Sequence, residues 1–132
     1  MTKIKILLVD DEPDFLKLIG TRIKSWGYDL IKVTNGEEAI SAVRDKLPDI
    51  VILDYRMPEM DGIATLQRIR ELDNETAVII LTAYPDKDAL KWSEKLNVSA
   101  FVPKLSVESD MAASLKSAIE AVEKIVRANK KL

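Results

Sequence analysis

The chain has 132 residues, 47% apolar and 32% charged, with a formal net charge of -2. It has no cysteine and no histidine, which excludes disulfides, cysteine nucleophiles, His/Cys zinc sites, imidazole bases and Ser-His-Asp triads, so any metal site must use oxygen ligands. The balanced charge leaves no basic footprint for nucleic acid, and the length suits one domain that buries about two-thirds of its surface, from roughly 21,500 Å² down to roughly 7,000 Å².

The first predicted strand is Ile4–Val9. Its apolar stretch is too short for a signal peptide and runs straight into Asp10-Asp11-Glu12. Phe15, Leu18, Ile19, Arg22 and Ile23 then recur at helical spacing, and Gly27 is the expected C-cap. A second strand over Asp29–Val33 leads to Asn35-Gly36 and a helix with Glu37 in its first turn and Ala39, Ile40 and Val43 on its apolar face. The third strand, Ile50–Asp54, is continuously apolar from Ile50 to Leu53, which is how a strand buried on both faces reads. Asp61-Gly62 precedes a helix over Ile63–Leu72.

The fourth strand, Ala77–Thr82, is apolar throughout Val78–Leu81. A helix over Asp86–Leu96 is expected to end at Asn97, a residue that tolerates left-handed backbone. The fifth strand is Ala100–Val102, and Pro103 after it suits a sheet edge. The last helix spans Val107–Lys130, with Ser106 as N-cap, Glu108 and Asp110 in its first turn, and Arg127, Lys130 and Lys131 at its end. That charge order complements the helix macrodipole. Ala112, Leu115, Ile119, Val122 and Val126 form its apolar stripe. Part of the stripe must pack on the sheet, and the rest is available for a dimer seam or for a lead into a further domain.

A strand-helix unit repeated five times with short connections predicts a doubly wound α/β sandwich. No apolar run approaches the ~20 residues of a membrane helix, so the expected location is the cytoplasm, away from membranes. In such sheets ligands bind beyond the carboxyl ends of the strands. Strand one ends in Asp10-Asp11 and strand three in Asp54. If those strands are neighbours, three carboxylates converge. At ~5 Å each pair repels by ~3 kcal/mol, so protons must shift or a cation must neutralise the cluster. With oxygen ligands alone Mg²⁺ is the natural ion. Taken singly, each aspartate is an ordinary strand-end turn residue. Thr82-Ala83 and Lys104 end the other strands, and a hydroxyl, an amide and an ammonium beside a metal-binding pocket suit a phosphoryl group.

On these residues the chain resembles a response regulator receiver domain of two-component signalling. The matching features are Leu7-Leu8-Val9-Asp10-Asp11-Glu12, Asn35-Gly36-Glu37-Glu38-Ala39, Pro48-Asp49-Ile50-Val51-Ile52-Leu53-Asp54, Met57-Pro58-Glu59-Met60-Asp61-Gly62, Thr82-Ala83-Tyr84 and Lys104. The similarity covers about Ile4 to Ile125. It implies a flavodoxin-like three-layer (βα)5 sandwich with a five-stranded parallel sheet of order 2-1-3-4-5. It implies that 1–132 is a single receiver domain, with 126–132 a helical extension toward an output domain. It implies that Asp54 accepts a phosphoryl group from a histidine kinase or phosphotransfer protein. Asp11, Asp54 and the Arg56 backbone carbonyl would bind Mg²⁺ (or Mn²⁺), and Asp10 would hold a metal-bound water. Thr82 and the Ala83 amide would take phosphoryl oxygens, Lys104 would pair with the acyl phosphate, and Phe101 would be the switch aromatic. The surface of helix four, strand five and helix five would then change, with an output partner or a second copy as its reader. A core aromatic is the plainer reading of Phe101, and Trp92 is either interface or core.

Leu105 follows Lys104 where the family usually has proline in a cis peptide, and a trans bond is expected there. Arg56 and Tyr84 lie two residues beyond Asp54 and Thr82, at positions that modulate dephosphorylation in the family. Their bulk predicts a long-lived phosphorylated state, unless both are solvated rim residues. Two other readings stand beside the switch. A binding module that signals without phosphorylation would have lost an acid, Thr82 or Lys104, and none is lost. A Mg²⁺ phosphohydrolase with Asp54 as nucleophile commonly carries a second aspartate two residues on, where this chain has Arg56.

Overall fold

The alternation of apolar strands with amphipathic helices is realised in full in the computed structural model, which describes residues 3–55, 61–83, 87–104 and 108–130. The elements are β1 (Lys5–Val9), α1 (Pro13–Ser25), β2 (Asp29–Val33), α2 (Gly36–Lys46), β3 (Ile50–Asp54), α3 (Gly62–Leu72), β4 (Ala77–Thr82), α4 (Lys87–Lys95), β5 (Ala100–Pro103) and α5 (Glu108–Lys130). The strands form one parallel five-stranded sheet of order β2-β1-β3-β4-β5. β1 and β3 are therefore neighbours, with Val9 opposite Leu53.

Every residue of β3 and β4 is buried, as their unbroken apolar runs require. Because side chains alternate across a sheet, Ile6, Leu8, Ile50, Ile52, Ile79 and Leu81 face one layer, and Leu7, Val9, Val51, Leu53, Val78 and Ile80 face the other. The first layer is α1 and α5, through Leu16, Ile19, Ile23, Leu115, Ile119 and Val122. The second contains α2 and α3, through Ala39, Val43, Leu66 and Ile69. Each buried Val, Leu or Ile among them contributes about 1.5–3 kcal/mol by leaving water. The exposed surface of 7620 Å² is close to what the chain length demands.

The helix ends follow local chemistry. Asn35 caps α2 by accepting from the Glu38 amide at 2.8 Å, and Asp61 caps α3 by accepting from the Ala64 amide at 2.7 Å. At the end of α1 the capping residue is Trp26, and Gly27 follows it with φ +96°, taking the left-handed step at no steric cost. Asn97 makes the corresponding turn after α4 at φ 57°. Pro103 lies on the edge strand β5, as its missing N–H predicts. The whole α5 stripe faces the sheet: Ala112, Leu115, Ile119 and Val122 are buried and Val126 packs on the same cluster. Among the described residues of α5, the large apolar side chain left exposed is Ile125. Glu123 accepts from the Tyr28 hydroxyl at 2.7 Å and pairs with Arg127 at 2.8 Å, which ties α5 to the start of β2. Ser106, Val107, Asp86 and Lys131 lie outside the described residues, so the predicted N-cap of α5 and the outermost residues of α4 and α5 do too.

Leu47 was not singled out by the sequence pattern. It ends α2 with φ 49° and ψ 61°, and 71% of it is exposed. A branched side chain in that region is strained by about 1–2 kcal/mol and here buries little to offset it. Leu47→Gly should therefore raise stability by about 0.5–1 kcal/mol, after the extra freedom glycine gives the unfolded chain. Urea unfolding should show a higher midpoint with an unchanged slope.

Candidate functional site

All five strands run in the same direction, so their carboxyl ends share one edge of the sheet. The chain leaves β1 to build β2 on one side and β3 on the other, and the crevice of such a switch point lies between β1 and β3. Asp10, Asp11 and Glu12 follow β1, and Asp54 ends β3. One carboxylate oxygen from each of these four residues lies within 4.8 Å of the others. Asp10 is fully buried and Asp54 is 5% exposed. Asp11 is half-buried and Glu12 exposed.

Lys104 enters this cluster from the end of β5. Its ammonium is 2.7 Å from Glu12 Oε1, 2.9 Å from Asp10 Oδ2 and 3.7 Å from Asp54 Oδ2. Its amide donates to the Thr82 carbonyl at 2.6 Å, which locks the end of β5 to the end of β4. Thr82 is buried and sits one residue past Leu81, the partner of Asp54 in the β3–β4 ladder. Ala83 follows it, exposed. The Glu12 amide donates to Asp10 Oδ1 at 2.9 Å, so both oxygens of the buried carboxylate are engaged.

The electrostatics follow from this geometry. Burial pushes the Asp10 carboxyl up, and the Glu12 amide and the Lys104 ammonium oppose that push without cancelling it. Burial pulls on Lys104 in the opposite sense, but hydrogen bonds to Glu12 and Asp10 and the charges of Asp10 and Asp54 win and push it up to about 12. Lys104 is thus charged throughout the neutral range. Among the described residues the Lys104 ammonium pairs with three of the four carboxylates, and a hard divalent cation is the chemical complement of the remaining oxygens. The donor set fits Mg²⁺ or Mn²⁺.

Of the site residues expected from sequence, Asp10, Asp11 and Asp54 cluster, Lys104 reaches Asp10 and Asp54, Thr82 ends the adjacent strand and Ala83 follows it. Phe101 is half-buried against the α2/α3 cluster. Trp92 is half-buried, with the Lys95 ammonium 4.9 Å from the centre of its ring. Arg56, Tyr84 and Leu105 lie outside the described residues, and with them the predicted carbonyl ligand, the dephosphorylation positions and the residue in place of the usual proline. Two contacts had no counterpart in the sequence reading. Glu12 is the shortest partner of Lys104, and the Phe15 ring lies 4.2 Å from the same ammonium. The signal for Glu12 was its place directly after the aspartate pair. Phe15 carried only the signal of a core position in α1.

A family model described as the response regulator receiver domain matches residues 6–116. A ycf27 protein of Porphyridium aerugineum, described as a transcriptional regulator, is 32% identical over 124 residues, covering 94% of this chain and 51% of that protein. The transcriptional regulatory protein ZraR of Escherichia coli strain K12 is 33% identical over 116 residues, covering 88% of this chain and 26% of that protein. The chain thus spans about half of the first of these relatives and about a quarter of the second. A signal receiver domain from Vibrio parahaemolyticus matches with a TM-score of 0.87 at 27% identity, covering 98% of this chain and 96% of that one. The chemotaxis protein CheY4 of Vibrio cholerae shares the fold, with a TM-score of 0.83 at 20% identity, covering 92% of this chain and 99% of that one.

Proposed function

The chain belongs to the response regulator receiver domain family, and from that premise we propose that it is a phosphorylation-dependent switch with Asp54 as the phosphoacceptor. The observation that carries this reading is the placement of a nearly buried Asp54 carboxylate within 3.7 Å of the Lys104 ammonium and beside Asp10 and Asp11. An Asp54 oxygen attacks phosphorus on a phosphohistidine of a sensor kinase or phosphotransfer protein. The phosphorus–nitrogen bond breaks, its electron pair returns to the imidazole, and an acyl phosphate remains on Asp54. Lys104 pairs with the incoming charge, and the Thr82 hydroxyl and Ala83 amide donate to phosphoryl oxygens. Asp11, Asp54 and the Arg56 carbonyl would hold Mg²⁺, with Asp10 bound to it through water. Bound there, the ion supplies neutralisation of the phosphoryl charge.

The domain catalyses its own phosphorylation and dephosphorylation and acts in the cytoplasm as a signalling module. Arg56 and Tyr84 slow the approach of water and prolong the phosphorylated state. The added charge of about -2 supplies the differential interaction that a two-state shift needs. Thr82 moves toward it, Phe101 turns inward, and the surface of α4, β5 and α5 changes for an output partner or a second copy of the chain. Among the described residues no helix is long and apolar enough to cross a membrane.

Incubation with acetyl phosphate and Mg²⁺ should give a single phosphoryl adduct by intact mass. The adduct should disappear in Asp54→Ala and on chelation of the metal. An adduct that persists in Asp54→Ala, or none on the native chain, overturns the assignment. Rapid turnover of many phosphate esters would point instead to a hydrolase.

A further inference from the structure

We propose that Phe15 is a positioning residue for Lys104, its ring face holding the ammonium beside the acid cluster where a phosphoryl group on Asp54 is met. The inference rests on the phosphoacceptor reading above. Lys104 has a long flexible stem ending in a compact charge, and such a side chain samples solvent unless something confines it. Its backbone is fixed by the bond to the Thr82 carbonyl at 2.6 Å. Its shortest partner, Glu12, is 63% exposed and confines little, because an exposed ion pair is screened and mobile. Asp54, at 3.7 Å, lies beyond hydrogen-bond length. Among the described residues, what remains is buried Asp10 on one side and the Phe15 ring on another, 4.2 Å from the ammonium.

Phe15 lies in the first turn of α1 and packs against the core that α1 and α5 form with the sheet, so the ring is itself held in place. An aromatic face carries negative potential and attracts a cation most strongly where water is scarce. The Lys104 side chain is only 14% exposed. Held this way, the ammonium needs a short displacement to meet the acyl phosphate rather than a search from solvent.

Phe15→Leu and Phe15→Met keep an apolar side chain and remove the ring face, whereas Phe15→Tyr keeps the face. The rate of phosphorylation by acetyl phosphate should fall about fivefold in the Leu and Met variants and stay within about twofold in the Tyr variant. A second readout is independent of phosphorylation. The Lys104 ε-methylene protons should show an upfield ring-current shift by NMR, both in the native chain and in Asp54→Ala. That shift should vanish in whichever of the Leu and Met variants is seen by thermal unfolding to be folded. A Leu variant reacting at the native rate, a Tyr variant as slow as the Leu variant, or an unshifted lysine in the native chain each overturns the proposal. If the lysine is shifted but the native chain takes up no phosphoryl group, the phosphoacceptor reading fails and the aromatic contact stands.

Discussion

Gly62→Ala should destabilise the protein by about 3 kcal/mol and lower its melting temperature by about 10 °C. Gly62 opens α3 directly over the end of β3, and its amide donates to the Tyr55 carbonyl at 2.8 Å. A Cβ added there would lie 2.6 Å from the Asp54 carbonyl oxygen, 2.7 Å from Tyr55 Cα and 2.8 Å from the Tyr55 carbonyl oxygen. All three are backbone atoms, so no side chain can rotate away to make room. Either α3 lifts off the sheet or the β3 end moves, and the second outcome displaces Asp54 itself. The variant should therefore lose phosphoryl uptake as well as stability. Calorimetry and the acetyl phosphate assay check the two effects separately. A variant with native melting temperature and native uptake would show that the helix entry is more compliant than its contacts imply.

Arg70→Ala should cost about 3 kcal/mol, with Arg70→Lys recovering less than half of it. Arg70 stands in the last turn of α3 and its guanidinium donates to four carbonyls. Nε reaches Leu96 at 2.9 Å, Nη1 reaches Thr76 at 2.6 Å and Asp73 at 3.3 Å, and Nη2 reaches Asn97 at 3.1 Å. One side chain thus joins the α3–β4 loop to the turn between α4 and β5. The planar fork matches several acceptors at once, and a single ammonium cannot span them. Asp73 secures the same loop by accepting from the Glu75 and Thr76 amides and the Thr76 hydroxyl. Urea unfolding should report the loss. Amide exchange at Asn97 and Ser99 should rise in the Ala variant, and unchanged exchange there would refute the clamp.

The strands were legible because each carries a signal that nothing else in the chain imitates. β2, β3 and β4 have the bounds expected from sequence, and β1 and β5 differ from theirs by one residue each. The left-handed turns at Gly27 and Asn97 were legible because few residues tolerate that backbone, whereas Leu47 adopts it against its own preference and gave no warning. The sheet order came from resemblance, since periodicity alone does not say which strands adjoin. The convergence of Asp10, Asp11, Asp54 and Lys104 followed once β1 and β3 were neighbours. The Glu12 and Phe15 contacts with Lys104, and the Arg70 fork, depend on where long side chains land after the backbone is set. Residues 92 and 89 positions apart leave no pattern in a linear reading.

The order of the sheet also bears on biosynthesis. β2 joins β1, β3 joins the free side of β1, β4 joins β3 and β5 joins β4, so each strand after β1 meets a partner already made as it leaves a ribosome. After β1, no strand has to wait for a later one before it can dock. The hazard lies in the interval after Ile50–Asp54 has docked and before Ala77–Thr82 arrives, when a strand apolar from Ile50 to Leu53 forms the open border of a nascent sheet. Translation that stalls in that interval would present the chain at its most prone to self-association.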